Sequence, residues 1–167
     1  MARFQTIVAA LDFSDSAPDA LDAALGLAAD TPAARVHLLH VVASAAAELW
    51  SEDLPPVDLR AVEQARTASA SAQLAALAVS RALDPSGVTS AIVVGAAAVE
   101  ILRYAEAHHA DVIVLGSHGH GVVRRFLLGS VADKVVRQSP CAVLIVPHRT
   151  LRGATPVPPA ATIPVLP

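Results

Sequence analysis

One cysteine, Cys141, stands in 167 residues, so no internal disulfide can form. It opens an apolar run and reads as a small buried hydrophobe rather than a reactive thiol. Aromatics are scarce at 3%, and the 54% hydrophobic content must therefore build a core of Val, Leu, Ile and Ala. Lysine is all but missing, with Lys134 alone, a bias we attribute to genome composition. The net charge of −3 gives no general pull toward nucleic acid or an anionic membrane. Long apolar runs are absent too. The opening MARFQTIVAALD carries one Arg, and its apolar stretch is cut at Asp12. That is too short for the apolar region of a signal peptide and far too short to span a bilayer. The expectation is a soluble cytoplasmic protein with no nucleic-acid or membrane partner. Also lacking are a G-x4-G-K-[ST] loop, a G-x-G-x-x-G after the first strand, and any nucleophile beside an obvious base. No catalytic residue and no protein-held metal site is assigned.

What is present is a regular alternation. Phe4–Leu11 reads as a strand, closed by Asp12 and the turn Phe13–Ser16. Ser14 or Ser16 then caps a helix with Pro18 in its first turn and Ala17, Leu21, Ala24, Leu25 and Ala28 on its apolar face. Arg35–Val42 is the second strand. A longer connection, Ala43–Pro56, leads to one long helix from Val57 to about Leu83. Val88–Val94 is a strand, Ala97–His109 a helix, Asp111–Leu115 a strand, and Cys141–Val146 a last strand stopped by Pro147. Strands alternating with helices predict an α/β domain with a parallel sheet and helices on both faces. There is no internal repeat. After His148 the character changes, with Pro156, Pro158, Pro159, Pro164 and Pro167 in a tail of almost no charge. The expected organisation is one domain over 1–148 and a proline-rich tail over 149–167, extended or disordered, since proline at that density opposes helix and ladder alike.

The stretch Asp111–Pro147 carries the chemistry. Gly116 ends the strand, and Gly119 and Gly121 permit close approach of a ligand to the main chain. Gly129-Ser130 opens the next helix, with Ser130 the expected N-cap and Asp133 completing a capping box. A glycine loop running into a helix N-terminus presents amide N–H groups backed by the positive end of the helix dipole. Arg124 and Arg125 add formal charge. A phosphate is the natural guest.

The spacing Gly116-x2-Gly119-x9-Gly129-Ser130, between two buried strands, resembles the ATP-binding signature of the universal stress protein family. TIVAALDFS, HLLHVV, ADVIVLGSHG and GSVADKVVRQSPCAVLIVP carry the resemblance over about Phe4–Pro147. It implies an open, Rossmann-like sheet of five parallel strands in the order 3-2-1-4-5. A ligand then sits where the order reverses, between the first and fourth strands. Asp12 would repel phosphates and belongs at the nucleoside, although capping of the following turn is the other reading. Val41 matches the family position whose main chain meets adenine, with Val42 the alternative. The residues so assigned to the cofactor are Asp12, Val41, Gly116, Ser117, His118, Gly119, Arg124, Gly129, Ser130 and Val131. His118 and His120 read as an exposed polar loop, His37 and His40 as structural, and His108-His109 as interacting with a helix C-terminus. No Ser-Gly-Gly run follows the first strand, as ATP pyrophosphatase-loop enzymes would show. The resemblance implies a stress-response regulator that holds ATP, with Mg²⁺ or Mn²⁺, and hydrolyses it slowly or not at all. A nucleotide-free interaction module and a slow ATPase are the alternatives. A homodimer is expected through Cys141–Val146, an apolar edge strand that needs cover.

Overall fold

The structure, a computed structural model, describes residues 4–44, 58–84, 86–117 and 128–147. Five strands form one sheet: β1 (Thr6–Ala10), β2 (Arg35–Val42), β3 (Val88–Val94), β4 (Val112–Gly116) and β5 (Ala142–Val146). All pair in parallel, in the order β3-β2-β1-β4-β5. The expected order is thus the observed one. Helices α1 (Ala17–Ala29), α2 (Leu59–Ser80), α3 (Ala97–Ala107) and α4 (Ser130–Gln138) cover the sheet.

The strands divide their side chains between two cores, as a period of two requires. Ile7, Ala9, Val36, Leu38, Val112 and Val114 pack under α1 and α2 with Ala20, Leu21, Ala24 and Leu74. Val8, Leu39, Ile113 and Leu115 pack on the other face with Ala98, Ile101 and Ala105 of α3 and Ala132 and Val135 of α4. The central β1 and β4 are buried on both faces, which is why TIVAA and VIVLG read as unbroken apolar runs. Edge strand β3 exposes Thr89 and Ser90.

Two long-range polar contacts tie the elements together, one between strands and one between helices. The Asp111 carboxylate accepts the N–H groups of Gln5 at 2.8 Å and Thr6 at 2.9 Å, while the Asp111 N–H donates to Thr6 O at 2.9 Å. This ties the entrance of β4 to that of β1 across about a hundred residues of sequence. On the other flank Arg81, after α2, meets Asp22 of α1 at 3.0 Å.

Two cap expectations are corrected. At α4 the N-cap is Gly129, and no side chain caps the helix. Ser130 is already the first helical residue, so Asp133 falls one place too far along for a capping box and instead holds Arg137 at 3.0 Å, one turn on. Gly129 takes the extended cap conformation (φ −60°, ψ 152°) because its own N–H and C=O are both used, by Ser117 O and by the N–H of Asp133. At α1 Ser16 is the cap position, but its side chain makes no capping bond. The working side-chain cap belongs to α2, where Asp58 accepts from the N–H groups of Arg60 and Ala61. Residues 45–57, the phosphate-loop positions 118–127 and the tail 148–167 lie outside the described residues.

Candidate functional site

The parallel register brings the carboxyl ends of β2, β1 and β4 to one rim. Ala10 pairs with Leu39 on one side and with Leu115 on the other. Two residues past these pairs stand Val41, Asp12 and Ser117, so the three strand ends bring these positions to the same rim. Asp12 is the middle of the row, at the point where strand order reverses. Asp12, Val41 and the segment after β4 thus converge although distant in sequence.

Each member of the row is held. Leu11 donates its N–H to Leu39 O at 2.8 Å, which extends the β1–β2 ladder past the last paired strand residue. Asp12 is exposed, and its Oδ1 accepts from both the N–H, at 3.0 Å, and the hydroxyl of Ser14. The carboxylate therefore organises the following turn, the other reading of this residue, while remaining at the rim. Phe13 adopts a left-handed backbone (φ 59°), unusual for a bulky residue, and this turns the chain sharply into the Ser14–Ser16 segment. Val41 is half-buried near the end of β2.

Gly116 is the last residue of β4 and pairs with Val146. Ser117 is buried, donates its N–H to Val146 O at 2.9 Å, and accepts from the Gly129 N–H at 2.8 Å. The two ends of the glycine loop are thereby joined, and α4 starts directly beside β4. The amides of Ser130, Val131 and Ala132 precede the first helical hydrogen bond, from Asp133 N–H to Gly129 O. With glycine at the N-cap no side chain covers them from that position. His118, Gly119 and Arg124 lie outside the described residues, so their place relative to these amides is not part of the description.

A cavity of about 290 Å³ opens beside the row. Phe13, His40, Val41, Val42 and Ala43, and Arg66, Ser69, Ala70 and Gln73 of α2 line it. The α2 residues recur at helical spacing and form one face of that helix. Phe13, His40 and the α2 set are the residues that sequence reasoning missed. His40 was read as structural, and its contacts are of that kind: its ring lies against Phe13 (centroids 4.4 Å apart) and its Nδ1 is 2.7 Å from Leu11 O. His37 faces the opposite side of the sheet. It hydrogen-bonds the Tyr104 hydroxyl at 3.0 Å and lies 4.9 Å, ring to ring, from His108, which caps α3. Burial first, then the positive neighbours His108 and Arg35, hold the His37 imidazole below its ordinary pKa. Among the described residues no three His, Cys, Asp or Glu side chains converge as a metal cluster.

A model of the universal stress protein family matches residues 3–147, almost the whole of this architecture. The chain belongs to the universal stress protein family. Among curated relatives, a universal stress protein of Methanocaldococcus jannaschii is 46% identical over 52 residues, 31% of each chain. The aligned segment spans only about a third of the curated relatives it matches. Solved structures cover far more. The universal stress protein UspA from Lactobacillus plantarum superposes with a TM-score of 0.74 at 27% identity, over 87% of this chain and 99% of its own. A universal stress protein solved in complex with cAMP is also 27% identical, with a TM-score of 0.55 over 88% of this chain and 99% of its own. No helix among the described residues is long and apolar enough to cross a membrane.

Proposed function

We propose that this universal stress protein binds ATP and acts as a nucleotide-dependent regulator in the stress response, in the cytoplasm, turning the nucleotide over slowly or not at all. The observation that carries this reading is the row Val41–Asp12–Ser117 at the reversal of strand order, continued through the Ser117–Gly129 bond to the open amides of α4. Along that row the chemistry changes from acceptor to donor. Asp12 suits ribose or base N–H and O–H groups. The amides of Ser130 and Val131, with the positive end of the α4 dipole behind them, suit phosphate oxygens. Gly116, Ser117, His118, Gly119, Arg124 and Gly129 complete the phosphate side in this reading.

The cavity matches part of such a ligand. Its volume of about 290 Å³ is at the lower end for small-molecule sites, enough for a base or nucleoside while the phosphates run along the rim toward α4. The relative solved with cAMP supports an adenosine-containing ligand. A Mg²⁺ or Mn²⁺ ion fits as a companion of the nucleotide, held by phosphate oxygens and water rather than by a dedicated protein cluster. In this reading the chain supplies position and charge.

The test is calorimetric titration of the whole chain with ATP and, separately, with cAMP. Gly129→Val places a branched side chain where phosphate would approach the α4 amides, and a loss of at least about tenfold in ATP affinity is expected. Equal ATP affinity for the wild type and this variant would sink the assignment. If cAMP binds more tightly than ATP, the regulator reads a cyclic nucleotide instead. Phosphate release at about 1 per second or faster would refute the non-enzymatic reading.

We also propose a homodimer through β5. Ala142–Val146 is the outer strand of the sheet, apolar throughout, and only Val146 is fully buried within the protomer. An antiparallel pairing across a two-fold axis covers that edge.

A further inference from the structure

We propose that His40 is the residue that positions Asp12, an inference that rests on the nucleotide reading above. Asp12 lies between two neighbours, and a single imidazole from the adjacent strand holds both of them. On the amino side, the Leu11 carbonyl lies 2.7 Å from His40 Nδ1. A carbonyl oxygen can only accept, so Nδ1 carries the proton and donates. On the carboxyl side, the Phe13 ring lies on the same imidazole, with centroids 4.4 Å apart and planes inclined by 31°. Phe13 needs such a contact. Its left-handed backbone costs a bulky side chain energy and persists only where the surroundings over-determine it. The carboxylate itself is turned and fixed from the third direction by Ser14.

The clamp has a direction. His40 is followed by Val41, the adenine-side member of the row, so β2 delivers both the base contact and the hold on the acidic residue. Nδ1 is committed to Leu11, and among the described residues Nε2 has no partner. His40 lines the cavity together with Ser69 and Gln73. Movement of the ring would therefore be felt at Asp12 and in the cavity together.

Two variants separate the two holds. His40→Phe keeps a ring against Phe13 and removes the donor. His40→Asn keeps a donor for Leu11 O, removes the ring, and guards against a folding failure of the first variant. The experiment titrates ATP into wild type, His40→Phe, His40→Asn, Asp12→Asn and the two double variants, with amide hydrogen exchange at Leu11–Ser14 on the same proteins. Each His40 variant is expected to lose about tenfold in ATP affinity and to exchange these amides faster. Combined with Asp12→Asn, either should add less than about twofold, since the residue through which His40 acts is already disabled. Additive losses, or unchanged exchange at Leu11–Ser14, would overturn the proposal while leaving nucleotide binding intact. Absence of ATP binding to the wild type would instead overturn the nucleotide reading, and this inference with it.

Discussion

Asp111 offers a test in which one oxygen atom does the work. Its Oδ2 accepts from both Gln5 and Thr6, at 2.8 and 2.9 Å. Asp111→Ala removes both charge-assisted bonds. The residue is exposed, so water can replace the lost acceptor, and the cost is set by the net value of the bonds rather than by stranded buried donors. At about 0.5–1 kcal/mol each after that discount, the loss is about 1–2 kcal/mol. For a domain of this size that lowers Tm by roughly 2–8 °C. Asp111→Asn is the discriminating variant. Because both bonds end on the same oxygen, an amide oxygen placed there keeps the geometry and loses only the charge. Charge-assisted bonds are about twice as strong as neutral ones, so the Asn variant should lose about half as much. Urea unfolding of the three proteins with a common m-value measures both numbers. A loss under about 0.3 kcal/mol for Ala, or equal losses for Ala and Asn, would refute the account of how β4 is registered on β1.

Three further outcomes follow from the same structure. Helix α4 is only nine residues long and buries only Ala132 and Val135, so Val135→Ala should cost about 2–3 kcal/mol by chemical unfolding and weaken nucleotide binding along with it. The His37 imidazole, held low by burial and by His108 and Arg35, binds its proton less readily folded than unfolded. Its share of stability is therefore present above its ordinary pKa of 6.5 and lost as pH falls through the folded value, and urea midpoints at pH 7.5 and 5 should drop less in His37→Phe than in wild type. A wild-type drop no larger than the variant's would contradict that. Leu144→Asp or Ile145→Asp in β5 should lower the dimer fraction in sedimentation, whereas truncation after His148 should leave it; a monomeric wild type at micromolar concentration ends the dimer reading.

The frame of this protein was legible because its signals are local. β2 and β3 occupy the residues that their β-branched runs predict, and the reversal at β1 and β4 follows from the family resemblance. Asp12, Gly116 and Gly129 are visible because strand ends and glycines mark themselves in sequence. His40 was not. Its two contacts, with Leu11 O and Phe13, cross from β2 to the end of β1 and exist only once parallel pairing has set the register. The α2 face with Arg66, Ser69 and Gln73 escaped for the same reason, since a polar face on a long helix reads as solvated until a cavity is seen beneath it. Ser130 was misjudged as a cap because serine is a common one, but at Gly129 the backbone bond to Ser117 decides where the helix begins.

That backbone bond has a consequence for how the protein can change. Ser117 and Gly129 are joined at 2.8 Å, one against the end of β4 and the other at the start of α4. The sheet and helix meet there through their own backbone atoms. Closing a longer loop over the same two points costs little, about 0.6 kcal/mol for each doubling of length. A change in the length of the connection would therefore cost the fold little, although it would break the Gly119-x9-Gly129 spacing that carries the family resemblance.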